Sequence, residues 1–144
     1  MEPLERVAIL LALMRELEGV MQQEGQVLRT MRLDRLEALQ AEKATLAEAY
    51  EIELRAFRKD PAAAAGLPAE ARRTLEDASR TFQQAIRANV RAIQAGRQVV
   101  EGIVRRLGAS LAAGRSERAG YRADAPPADP PGGRVIAVAF DRRI

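Results

Sequence analysis

Apolar side chains recur at alternating spacings of three and four residues through the first part of the chain. Val7, Leu10, Met14, Leu17, Met21, Glu24, Leu28 and Met31 form the series, and Glu24 is its one polar member. Such spacing is that of a helix burying one narrow stripe. The phase then slips by one residue and resumes as Leu36, Leu39, Lys43, Leu46, Tyr50, Glu53 and Phe57. A slip of this kind alters the local supercoil without requiring a break. One helix is therefore predicted over about 3–59, opened by Pro3 at its first turn. Gly19 and Gly25 each weaken it by about 1 kcal/mol relative to Ala, which makes that stretch the place for a bend.

Asp60 and Pro61 are a strong stop, able to cap a single turn through Ala62 and Ala65 that Gly66 ends. Pro68 opens a second long helix, predicted over 68–113, with Glu70 suitably placed in its first turn. Its stripe is Leu75, Phe82, Ile86, Val90, Ile93, Val100, Val104, Leu107 and Leu111, flanked by Ala78 and Ile103, with Asn89 and Gly96 in or beside it. Two long amphipathic helices with a short connection predict an all-α fold, a long antiparallel coiled-coil-like hairpin over 1–114. Residues 115–133 are polar, and four of the seven prolines fall in 126–131. A flexible Pro-rich tail is expected over 115–144, with a short apolar end at 135–140 suited to docking.

The width of the second stripe changes the picture. Two helices bury only a narrow seam between them, so part of this surface needs a third helix, from this chain, a second copy or a client. The residues expected to take a client are Ile86, Val90, Ile93, Val100, Val104, Leu107 and Leu111. Glu24, Lys43 and Glu53 interrupt the seams, where polar residues usually set register rather than perform chemistry.

Composition narrows the chemistry. The chain has neither Cys nor His among its 144 residues, which removes disulfides, thiolate nucleophiles and the usual ligands of zinc. No Gly-rich phosphate loop is present, and acidic pairs such as Glu76 and Asp77 read as solvated helix face. An enzyme is not expected, nor a metal or other cofactor. Aromatic residues are 3% of the chain, with no Trp, which suits a thin helical structure rather than a thick core. The first apolar run lies behind Glu2 and Glu5 and lacks the marks of a signal peptide. No stretch approaches the roughly 20 apolar residues of a membrane span. A cytoplasmic protein without membrane insertion is the expectation.

Charge is unevenly divided. Residues 1–60 carry 12 acids and 9 bases, whereas 61–114 carry 4 acids and 8 bases, so the two segments are complementary. The Arg-rich face of the second helix could meet phosphates, but no aromatic side chains interleave for base stacking, and nucleic acid is not an expected partner.

Val20, Met21, Gln22, Gln23 and Glu24, followed by Leu28 and then by Leu36, Leu39, Glu42, Lys43 and Leu46, resemble the flagellar export chaperones of the FlgN type. A long helix containing Asn89, a loose tail with Tyr121, Arg122, Ala123 and Asp124, and a basic hydrophobic end continue the resemblance over nearly the whole chain. Arg122 follows the tail tyrosine where the family often has Gly. The resemblance implies a cytoplasmic chaperone of type III flagellar export. Its clients would be hook-associated proteins of the hook–filament junction, held by an amphipathic terminal helix so that they do not polymerise early. Delivery to the membrane export gate would use the tail residue Tyr121. The alternative is a structural coiled-coil scaffold, a homodimer whose second copy covers the spare stripe.

Overall fold

The computed structural model describes residues 1–117, with side chains through 114. The fold is all-α, as the apolar periodicity predicts. Its first element, α1, covers Pro3–Thr30 and is uninterrupted at Gly19 and Gly25. Glu2 and Glu5 form a reciprocal capping box at its start. A single 3-10 turn at Leu33–Arg35 leads into α2, Leu36–Arg58. The one-helix expectation for 3–59 therefore gives way to two helices, and the one-residue slip in the stripe marks the turn between them.

That turn uses neither glycine nor proline. Met31 adopts the left-handed conformation with φ 57°, the single non-glycine residue among those described to do so. The Arg32 amide donates back to the Val27 carbonyl at 3.0 Å, a six-to-one closure that satisfies an end carbonyl of the helix. The chain reverses because α1 and α2 each present an apolar stripe, and folding back buries one against the other. A single straight helix would leave both in water. The burial of Leu28 and Leu36 on either side of the turn outweighs the roughly 1–2 kcal/mol that the left-handed residue costs.

Asp60 caps the short helix α3, Pro61–Ala65, by accepting from the Ala63 amide at 3.0 Å. Leu67 is buried, and Arg72 Nη2 donates to the Ala65 carbonyl at 2.9 Å, fastening this connection to the next helix. That helix, α4, covers Ala69–Glu117. Its start lies beside the start of α1, where Val7, Leu11, Pro68 and Ala71 line one groove. Farther along, Val27 and Leu28 of α1 meet Val100 and Ile93 of α4. The two helices therefore run parallel, and α2 runs antiparallel to both. The architecture is an up–down–up three-helix bundle in which α1 is the shared member.

This arrangement accounts for the wide stripe on α1. Val7, Leu10, Met14, Leu17, Met21, Glu24 and Leu28 are all buried, as are the adjoining Val20, Gly25 and Val27. One cluster joins Met14, Leu17, Met21 and Phe82 with Tyr50, Leu46 and Ile86 packed around it. The rings of Tyr50 and Phe82 lie tilted at 5.1 Å between centroids, linking α2 with α4. The helix expected to end at 113 runs on to Glu117, so the first three residues of the expected flexible tail are helical; the remainder of that tail, with its apolar end, lies outside the described residues.

Met31→Gly relieves the left-handed strain and is expected to hold stability or raise it by up to about 1 kcal/mol. Met31→Val places a β-branched residue at positive φ and is expected to lower stability by about 1–2 kcal/mol. Urea unfolding followed by circular dichroism measures both. Equal midpoints for the two variants would contradict the turn geometry.

Candidate functional site

Two features stand apart from ordinary helix packing. One is a polar layer inside the bundle, and the other is an apolar stripe outside it.

The polar layer is centred on Glu24, whose side chain is 0% exposed. Lys43 Nζ of α2 donates to both carboxylate oxygens, at 2.8 and 3.0 Å. Gln40 Nε2, also of α2, donates to Oε2 at 2.9 Å, and Asn89 Nδ2 of α4 donates to Oε1 at 2.6 Å. Lys43 further donates to Asn89 Oδ1 at 3.3 Å. Each carboxylate oxygen thus accepts two hydrogen bonds, so a charge taken wholly from water is compensated on every side. One carboxylate ties all three long helices together at a single level. Gln40 Oε1 is the one buried side-chain polar atom without a partner among the described residues.

Glu24 and Lys43 were expected at seam positions, and Asn89 in or beside the second stripe. Gln40 was missed, although Leu36, Gln40 and Lys43 follow at helical steps of four and three and must share a face. Glu53, the third polar seam residue, is only partly buried and pairs with Arg6 at 3.1 Å. Glutamate, lysine and two amides locked in mutual hydrogen bonds present no open position to a substrate. Among the described residues, no group of three or more acidic side chains converges to hold a metal ion.

The apolar stripe of α4 divides into two parts. Ile86, Ile93 and Val100 pack into the bundle, on the clusters around Phe82 and Leu28. Val90, Val104, Leu107 and Leu111 are 44%, 42%, 50% and 58% exposed, joined on the outside by Val99 and Ile103. Val90 and Val99 lie on the outer face of α4 alongside the bundle, whereas for Val104, Leu107 and Leu111 the reason is length. The last buried cluster ends at Val100, opposite the turn between α1 and α2, and α4 continues to Glu117 past the end of every other described helix. Its final 17 residues, 101–117, project about 25 Å beyond that cluster. Val104, Leu107 and Leu111 continue, at steps of three and four, the line on which Ile93 and Val100 are already packed. The core stripe thus emerges from the bundle uncovered.

Between α2 and α4 lies a shallower apolar groove of about 370 Å³, lined by Leu17, Tyr50, Leu54, Phe82 and Ile86 and bordered by Arg58. Burial here pushes the Tyr50 phenol above its ordinary value of 10.0, and nearby Arg58 opposes part of that shift. Tyr121, the residue expected to dock at an export gate, lies outside the described residues. No helix among the described residues is long and apolar enough to cross a membrane.

Lys43→Met leaves the Glu24 charge buried without its cation and is expected to cost about 3–5 kcal/mol. The double variant Glu24→Gln, Lys43→Met removes the uncompensated charge and is expected to regain much of that loss. Thermal melts of the two variants test the layer, and additive losses would show that the pair is not coupled. Tyr50 supplies a pH test. A phenol pKa raised by folding contributes stability that is complete below the unfolded value and is lost as pH rises through the folded value. Wild type is therefore expected to lose more stability above pH 10 than Tyr50→Phe does, read as the difference between their melting temperatures.

Comparison with family models, curated proteins and solved structures finds no significant match, so the geometry of these two features and the motif resemblance carry the functional reading.

Proposed function

We propose that this chain is a helix-capturing chaperone of the FlgN type, which holds hook-associated flagellar proteins before export and passes them to the membrane export gate. The observation that carries the reading is the uncovered continuation of the core stripe along α4, at Val104, Leu107 and Leu111. An amphipathic helix laid against it would bury the apolar line that α1 buries lower down, by the same ridge-and-groove contacts. Capture by such a surface would keep a polymerising segment of the client out of reach of its own kind.

A second point supports the family reading. Glu24, Lys43 and Asn89, each in a stretch that carries the resemblance, meet in one buried layer although 65 residues separate the first from the last. They would set the relative height of the three helices, and with it where α4 emerges. The captured surface then consists of Val104, Leu107 and Leu111, whereas Ile86, Ile93 and Val100 serve the bundle itself. On this reading the chain works in the cytoplasm, requires no cofactor, and uses Tyr121 at the gate.

The scaffold alternative puts a second copy on the same stripe, and it is separated by mass. Leu107→Asp with Leu111→Asp is expected to leave the melting temperature of the bundle within about 2 °C of wild type, because both side chains are at least half exposed and lie outside the buried clusters. The same double variant is expected to weaken binding of a hook-associated protein by a hundredfold or more, about 3 kcal/mol for charges on a buried apolar seam. Ile93→Asp or Val100→Asp would instead lower the melting temperature sharply. Binding by the Leu107, Leu111 double variant as tight as wild type would refute capture at this surface. A wild-type dimer that the same substitutions dissociate would favour the scaffold.

A further inference from the structure

The apolar side chains of α4 fall into two rows at steps of seven. Ile86, Ile93, Val100 and Leu107 form one, and Val90, Arg97, Val104 and Leu111 form the other. The first row is turned into the bundle as far as Val100. Every member of the second is exposed, and Arg97 is its one polar residue. Which helix the second row borders follows from positions about Phe82. Thr74 is eight residues before it and Val90 eight after, so they stand about 80° to either side of it at about 3.6 residues per turn. Thr74 lines the groove against α1, with Leu4 and Ala8. Val90 therefore stands on the side of α2, one turn beyond Ile86, which lines the α2–α4 groove with Leu54 and Tyr50. Val104 is 18 residues on from Ile86, five full turns at about 3.6 residues each, and lies on the same line along the helix. The groove and the projecting stripe are thus two parts of one surface.

We infer that the captured segment is a single helix of about 25 residues, seated at one end in the groove between α2 and α4 and at the other on Val104 and Leu111. This inference rests on the helix-capture reading and adds the partner's length and its second seat. Rows at steps of seven drift about 20° per heptad around a straight helix, and a partner wound left-handedly stays on them. Its own apolar face must then repeat every seven residues, over about three heptads or more. Arg97 lies in its path, and the stem of an arginine offers apolar surface beneath the charged end. A partner confined to the projecting part would cover only Val104, Leu107 and Leu111, a small contact against the freedom that a helix loses on binding. Leu54, Ile86 and Val90 add as many side chains again.

Three fluorescent peptides of about 28 residues, alike in length and charge, provide the test. One carries Leu and Val at the seven-residue repeat throughout, and each of the other two has one half of its repeat replaced by Gln. Fluorescence anisotropy against the full chain is expected to show the first binding about tenfold more tightly than either half-repeat peptide. Val90→Asp, at an exposed residue outside the buried clusters, is expected to remove that advantage and keep the melting temperature within about 2 °C of wild type. Equal binding of the three peptides, or an advantage that survives Val90→Asp, would overturn the second seat. Capture on the projecting stripe would still stand if Leu107→Asp abolished that binding. Failure of every peptide to bind would overturn both. A wild-type dimer that Val90→Asp dissociates would put a second copy along the row, and peptide binding that rises on Phe140→Asp would put this chain's own apolar end there; either result would overturn the inference.

Discussion

Burial of the Glu24 carboxylate is the constraint on which the rest of the bundle depends. A bare charge in an apolar interior costs several kcal/mol, and here it must be met from two other helices at once. Leucines elsewhere in the stripe could slide by a turn and find other leucines. Glu24 could not slide without losing Lys43 and Gln40 on one side and Asn89 on the other. The layer therefore selects one register from several that would bury similar apolar area, the role best attested for polar residues in helical seams. Gln40 Oε1, left without a partner, is a small residual cost of that selection.

Once register is fixed, the lengths of the helices decide what is left over. α1 has 28 residues and α2 has 23, whereas α4 has 49 and begins level with α1. Neither α1 nor α2 reaches the far end of α4 in that register. Exposure of Val104, Leu107 and Leu111 is consequently a property of the fold and not of a loosely packed side chain. Slippage of α4 by one turn could draw Val104 toward the bundle, but Asn89 would leave Glu24. The internal layer and the external stripe are in this sense one device, with the first holding the second in place.

Much of this was legible in the sequence. The apolar positions of α1, the stop at Asp60 and Pro61, the short turn ended by Gly66, and the start of α4 at Pro68 all follow from spacing and from proline and glycine chemistry. The excess width of the second stripe showed that a third helix was required. The origin of that helix was hidden because the reversal at Met31 uses no glycine or proline, and its one trace was a phase slip that a continuous helix also tolerates. Glu24 and Lys43 were visible as polar members of apolar series, yet their pairing was not, since two residues 19 apart on one straight helix would lie far from each other. Gln40 escaped notice because a glutamine on a helix is unremarkable until its neighbours are known to be buried.

Net charge follows the same division of labour. In the bundled part, basic and acidic side chains meet across helices at Arg6 and Glu53 on the surface and at Lys43 and Glu24 in the interior. On the projecting part of α4, no other helix among the described residues lies opposite Leu107 and Leu111. Apolar surface without a cover favours association with almost any apolar partner, and by itself it discriminates little.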